Sequence, residues 1–579
     1  MARDRKPIRA LLAAALLLVL AVPAAAAPRT LIANARGYLI EPGGEVRRFA
    51  HLLIDAEGRV EALLPAGAPE PRLGPRDFRA DMRGRPVLPG LIDAHGHLLA
   101  LGLALTQLDL SRTASLREAQ AALRDAASGA GSSQSAAGGH GSGWLIGRGW
   151  NEVRWGMRSF PTAADLDAAT GDRPAWLVRA DGHAGWANSA ALKAAGITRA
   201  TRDPPGGRIL RDAAGNPTGI LIDHAMDLVA AVVPPPSALA REKALEAALG
   251  HLAALGLTGF HDMGTTPSDW NLLRAFGDSG RLTVRVTAYA DGLAAMEAIS
   301  PLRPTPWLYG ERLRLIGVKL HADGALGSRG AWLKAPYADA PETRGFAFHD
   351  DTRLKNLMSR VNFTGYQLAV HAIGDAANSQ VLDAYTEIHA TYGPALRNRI
   401  EHAQVLDPAD FGRFRALSVI ASMQPIHATS DRLMAEARLG SDRLAGAYAW
   451  RSLRQAGARL AFGSDAPVEP ANPFLGIHAA VTRRDAAGNP PGGWRSSERL
   501  TLAEALAGFT VDAAYAGHAD GRVGTLLPGA WADFIVLDRD PFAIPADDLA
   551  NVAVLETWLA GRRIWARPRI GADARPIGR

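Results

Sequence analysis

"PVLPGLIDAHGHLLALG", residues 86–102, is the stretch from which the fold can be read. Apolar Val87, Leu88, Leu91 and Ile92 lead into His95 and His97, one residue apart. Side chains alternate faces along a strand, so both imidazoles share a face with Asp93. An apolar strand with a polar carboxyl end is what a barrel stave requires.

Seven later segments repeat this design: "GLTGFHDMG" (256–264), "LTVRVTAYADG" (282–292), "LRLIGVKLHADG" (313–324), "YQLAVHAIGD" (366–375), "RIEHAQV" (399–405), "LSVIASMQPIHA" (417–428) and "ARLAFGSDAPV" (458–468). Helical patterns precede each of the seven. Eight such strands predict an α/β fold, a (β/α)8 TIM barrel over 86–515 whose active site lies at the carboxyl ends of the strands. Short alternating runs at 29–40, 49–65 and 77–90 return at 524–541 and 551–565, separated by Gly, Pro and charged turns. They predict one small β-sandwich domain built from both termini, 28–85 and 516–579.

The 579 residues are 47% hydrophobic and 21% charged, ordinary for a large globular chain of two to four domains or one barrel with additions. The formal charge is +6, and the first nine residues hold a net +3 of it. The remainder is too weakly basic to predict nucleic acid as a partner. A basic start, the apolar run "ALLAAALLLVLAV" and the small-residue site in "PAAAAPR" predict a signal peptide, 1–27, cleaved near Ala26 or Ala27. The run is shorter than a spanning helix needs, so no stable membrane span is expected after its removal, and the location is periplasmic or secreted. With no cysteine, neither a disulfide nor a thiol nucleophile is available.

Between the first two staves lies a long insertion, about 105–245. It holds the Gly/Ser/Ala stretch "AASGAGSSQSAAGGHGSGW" (126–144), read as a loop without packed structure, and a collection of tryptophans. Its place on the catalytic face predicts a wall or lid over the site, with the tryptophans lining an apolar pocket.

At the strand ends stand His95, His97, Lys319, His371, His402 and Asp465. Four imidazoles and a carboxylate in one barrel mouth predict a divalent metal site, zinc first, with iron, manganese or nickel permitted. A single strand histidine would be unremarkable; it is the alignment on four of eight strand ends that carries the reading.

"PGLIDAHGH", "VKLHADGALGSRGA", "VHAIGDAA", "RIEHAQ", "FGSDAPVEPANP" and "LLPGAWADFIVLDRDP" resemble, in order, the amidohydrolase superfamily, and within it the branch of the N-substituted formamide deformylases. The resemblance spans about 30–565. It implies two Zn per chain, His95, His97 and Asp465 on one ion and His371 and His402 on the other, with a CO2-derived carbamate on Lys319 bridging them. Burial favours that chemistry, because only a neutral amine captures CO2. A structural ion pair of Lys319 with Asp323 is the alternative.

The expected activity is hydrolysis of a non-peptide C–N bond, an amide or N-substituted formamide, in a small-molecule substrate. A metal-bridging hydroxide would be the nucleophile and Asp465 the catalytic proton carrier. Trp150, Asn151, His183, Asp323, Arg329 and His427 are candidate substrate contacts. For each, a packing or loop-tying role is the competing reading. His321, two residues beyond Lys319, departs from the apolar or aromatic residue the resemblance implies there. A ring deaminase with one metal and a non-catalytic envelope binding protein are the alternative functions, and a homodimer is permitted.

Overall fold

The computed structural model describes residues 28–128, 143–152, 154–179, 184–204 and 207–568. The expected leader, His183 and residues 129–142 of the Gly/Ser/Ala stretch lie outside them.

The eight staves are β1 (Leu91–Gly96), β2 (Leu257–Thr265), β3 (Arg285–Asp291), β4 (Leu313–His321), β5 (Gln367–Ala372), β6 (Arg399–His402), β7 (Ile420–Met423) and β8 (Arg459–Phe462). They form one parallel sheet in sequence order. The two edges meet beyond β8, where Gly96 bridges Ala466, the His97 amide donates to Ala466 O at 2.8 Å and the Asp465 amide to His95 O at 2.7 Å. These closing bonds fall on the residues that carry the expected ligands, so closing the barrel also sets their positions. Outside, helices cover the staves. In Ala238–Ala254 the buried Leu245, Ala248, Leu249 and Leu252 recur at helical spacing and join the main core.

The opening stretch is divided rather than continuous. Pro86–Pro89 pairs with Arg36–Ile40 and Phe534–Leu537 in a six-stranded sheet, and the barrel begins only at Leu91. The chain changes sheets at Gly90, where a Cβ would stand 2.1 Å from Thr258 Oγ1, so only glycine fits the crossing. That six-stranded sheet packs on a four-stranded one (Thr30–Ala33, His51–Ile54, Val60–Leu64, Phe78–Asp81), burying Ile32, Leu52 and Val60 against Val87, Phe534 and Trp558. This sandwich is built from both ends of the described chain, as the pattern predicts.

The insertion folds as a unit of its own. Leu108–Asp109, Leu145–Trp150, Ala175–Arg179, Ala184–Ala187, Pro217–Asp223 and Gly207–Arg211 form a mixed six-stranded sheet, with a hydrophobic core on each face. Its tryptophans are used there. Trp150, Trp155 and Trp186 pack together in one core, and Trp144 and Trp176 lie in the other. The expectation that Trp150 lines a substrate pocket is therefore corrected: it is fully buried, and its indole N–H donates to Leu177 O at 2.9 Å. A lone subdomain needs large apolar side chains for its own core, which is where these go.

Candidate metal centre

Four staves and the loops that follow them bring five of the six expected donors together, and a fifth stave brings His371 beside them. His95 is wholly buried at the end of β1, and His97 begins the next helix, Leu98–Thr106. Asp465 stands beyond β8 with Oδ1 3.1 Å from His97 Nε2 and 3.4 Å from His95 Nε2. Donors about 2.0–2.2 Å from a shared ion take separations of this size. Lys319 Nζ lies 3.5 Å from His95 Nε2. The His402 ring centroid is 4.8 Å from that of His95 and 4.6 Å from that of His371. Five of the six expected donors therefore sit together, while His371 stands at their edge with Nε2 3.4 Å from Gly324 O and 3.6 Å from Asp323 Oδ1. Asp465 also faces a second group with His402 and His427.

His402 and Asp465 reach this point by an uncommon route. On β6, Arg399 and Glu401 alternate onto the interior face, and regular strand geometry would turn His402 outward. Instead His402 takes φ 75°, and Asp465 φ 61°. Left-handed backbone at a non-glycine residue costs roughly 1–2 kcal/mol, and the surrounding bonds hold it at two expected ligands.

Each donor is also held from behind. His95 Nδ1 hydrogen-bonds Glu401 Oε2 at 2.6 Å and His402 Nδ1 bonds Gln424 Oε1 at 2.8 Å, leaving Nε2 of each ring to face the cluster. Asp93 ties β1 to the loop after β8: it accepts the amides of His95 (3.1 Å) and Ser464 (2.9 Å) and the Ser464 hydroxyl. Burial pushes the Asp93 carboxyl up to about 7, against those bonds. It orients its neighbours, in line with its place on the shared face.

Burial pushes His371 and His402 well below the ordinary imidazole range, which leaves them neutral, the form that donates to a metal. Burial likewise lowers the Lys319 ammonium, with Glu401 and Asp465 opposing. For Asp465, burial acts upward, but the His95 and His97 imidazoles beside it outweigh it and hold the carboxyl well below the usual carboxylate range. Buried neutral imidazoles beside an ionised carboxylate and a lysine tending to neutrality are a donor set that fits a divalent cation.

The expected substrate contacts fare differently. His427 is not on β7 but opens the short helix His427–Ser430; its buried Nε2 has no hydrogen-bond partner and lies 3.9 Å from Asp465 Oδ2. Asp323 takes the amides of Trp332, Ile373 and Gly374 at 2.8–3.0 Å, so its carboxylate ties the loop after β4 to the end of β5. That corrects its assignment to substrate, and with it the alternative ion pair to Lys319. Arg329 pairs with Asp339 at 2.9 Å. The Asn151 side chain accepts the Arg154 amide at 3.0 Å, capping a turn of the insertion. His321 is exposed, its ring centroid 5.2 Å from that of His371.

Sequence reasoning passed over Arg399, Glu401 and Gln424. The signal was present: two opposite charges at i and i+2 on a stave put a charged pair inside the barrel.

The profile of the amidohydrolase family matches residues 80–565. The Bacillus subtilis protein YtcJ is 36% identical over 514 residues, 85% of this chain and 91% of its own length. The N-substituted formamide deformylase of Arthrobacter pascens is 28% identical over 498 residues, 83% of this chain and 88% of its own. Among solved structures, an uncharacterized metal-dependent hydrolase from Pyrococcus horikoshii superposes with a TM-score of 0.72 at 26% identity, covering 90% of this chain and 99% of that one.

Proposed function

The chain belongs to the amidohydrolase family, and from that premise we propose that it hydrolyses a non-peptide C–N bond, in an amide or an N-substituted formamide. One observation carries the reading: His95, His97 and Asp465 present their ligand atoms to a common point with Lys319 and His402 beside them. The name of the Arthrobacter relative supports the substrate class. His95, His97 and Asp465 would hold one zinc, His402 with His371 or His427 the second, and Lys319 would contribute as its carbamate. A divalent ion there supplies Lewis acidity: it polarises the carbonyl and lowers the pKa of water from 15.7 towards about 7.

The remaining chemistry falls to the chain. As water adds to the carbonyl carbon, Asp465 accepts its proton; as the C–N bond breaks, the same carboxyl returns that proton to the departing nitrogen. Where His371 rather than His427 is the ligand, the buried, unpartnered Nε2 of His427 beside Asp465 is placed to bond the substrate. The expected apolar pocket loses the tryptophans that motivated it.

Purified protein, loaded in turn with zinc, manganese and iron, is assayed against N-benzylformamide and a panel of amides. Turnover of a panel member is expected; inertness to all of it removes the substrate clause. Metal analysis on the same samples is expected to give two ions per chain. A single ion with an unmodified Lys319 turns the reading to the ring deaminase, and a folded chain that binds metal without any turnover to the binding protein. Export of the chain with removal of about 27 residues is a further part of the proposal, checked by the amino-terminal sequence of protein from fractionated cells.

A further inference from the structure

Below the metal centre the barrel encloses a charged pair that no step above uses. Arg399 and Glu401 are both fully buried, and the Nε–Nη2 edge of the guanidinium meets both oxygens of the carboxylate. Arg399 is fixed on every side: it donates to Ala94 O and Ser422 Oγ at 2.6 Å, to Tyr289 OH at 3.2 Å, and reaches His261 Nδ1 at 3.1 Å. A pair this deep is weak as a stabiliser, since desolvation offsets most of its attraction. Its geometry points elsewhere. Glu401 Oε2 is 2.6 Å from His95 Nδ1, in a part of the chain 306 residues away in sequence.

We propose that Glu401 is a positioning residue for the metal centre and that Arg399 is its anchor. An ionised carboxylate can only accept, so His95 must carry its proton on Nδ1. Nε2, 3.4 Å from Asp465 Oδ1 and 3.5 Å from Lys319 Nζ, is then left as the free donor. A carboxylate behind an imidazole also strengthens it as a ligand. Arg399, held by four further partners, keeps Glu401 from turning, and one of those partners, Ala94 O, is the carbonyl immediately before His95. Stave β6 thus supports the cluster twice, with Glu401 bracing His95 and the next residue, His402, brought inward by its left-handed backbone. The inference rests on the reading of the cluster as a metal site, and no other residue contact is needed for it.

The test is cobalt affinity and the visible spectrum of the cobalt-loaded protein, for the wild type and for Glu401→Gln, Glu401→Asp and the double variant Arg399→Gln/Glu401→Gln. Glu401→Asp keeps the charge beside Arg399 and withdraws it from His95 by one methylene. It is therefore expected to fold, and so is the double variant, which leaves no buried charge unpaired. Expected are a 10–100-fold weaker hold on one cobalt ion in each folded variant, a changed ligand-field spectrum, and an apo melting temperature for Glu401→Asp close to wild type. A merely structural pair would shift the apo melt and leave affinity and spectrum alone; that outcome, in any folded variant, overturns the proposal. If the wild type itself binds no cobalt, the metal-site reading fails first, and the two failures are distinct.

Discussion

Replacing Asp465 with asparagine separates proton transfer from everything else this residue does. Its backbone stands at φ 61°, a region asparagine adopts readily and alanine does not. Alanine would add roughly 1–2 kcal/mol of backbone strain and leave a void beside His95 and His97. Asparagine keeps the shape and an oxygen at the position now 3.1 Å from His97 Nε2, but it cannot take up a proton at neutral pH. Positioned acid–base groups contribute about 10²–10⁴-fold, so kcat should fall at least about a hundredfold, or ~2.7 kcal/mol of barrier. The assay is kcat and KM on whichever panel amide the wild type turns over, with metal content measured on the same preparation. A loss of rate at full metal content assigns the proton to Asp465, and a loss of both rate and metal assigns it as ligand alone. An unchanged kcat with full metal refutes the reasoning.

Lys319→Met should abolish turnover, and native mass spectrometry of the wild type should show the added mass of one CO2, lost in acid and absent from the variant; equal masses would remove the carbamate. Asp533 takes Arg285 through both oxygens at 2.6 and 3.0 Å, fully buried where β3 meets the terminal sandwich. Asp533→Ala should cost about 3–5 kcal/mol in urea denaturation by stranding the guanidinium, and Arg285→Met/Asp533→Leu should recover most of it. Glu504 closes a capping box with Thr501 and accepts Arg451 and Arg454. Burial acts upward on its carboxyl, but the Thr501 amide and Arg451 outweigh it and set it at about 2, below the ordinary 4.5. Its contribution, about 1–2 kcal/mol by comparison with other caps and charged hydrogen bonds, is therefore whole above pH 4.5 and lost as pH falls towards 2. The gap in denaturation midpoint between wild type and Glu504→Gln should close over that window, and a gap independent of pH would count against the assignment.

How much of this was legible before the fold can be judged from single residues. His95, His97, Lys319 and Asp465 were found because apolar runs ending in polar residues recur eight times, and a closed barrel leaves those ends one place to go. His427 falls within the apolar run that predicts a strand, but the strand ends at Met423, and the limits of a four-residue stave are not visible in one sequence. For Trp150 the sequence misleads, because tryptophan marks burial without saying which core claims it. Asp323 matched a motif, yet motif membership does not separate a carboxylate that meets substrate from one that gathers three backbone amides. The insertion's sheet pairs strands in an order, Gly207–Arg211 beside Pro217–Asp223 and that beside Ala184–Ala187, that no local pattern contains.

Hydrophobic periodicity, turn chemistry and residue type are local properties of the chain, and they alone determined that it forms a barrel with a terminal sandwich and that imidazoles, a lysine and a carboxylate stand at the mouth. Which nitrogen of each imidazole faces that mouth was decided only by the tertiary structure. Glu401 meets His95 across 306 residues, Gln424 meets His402, and left-handed φ turns His402 inward against strand alternation and is shared by Asp465 in the loop beyond β8. The reason is physical: a hydrogen-bond partner and a strained backbone are conditions imposed by the closed barrel on its staves, and a strand has neither until its neighbours are in place.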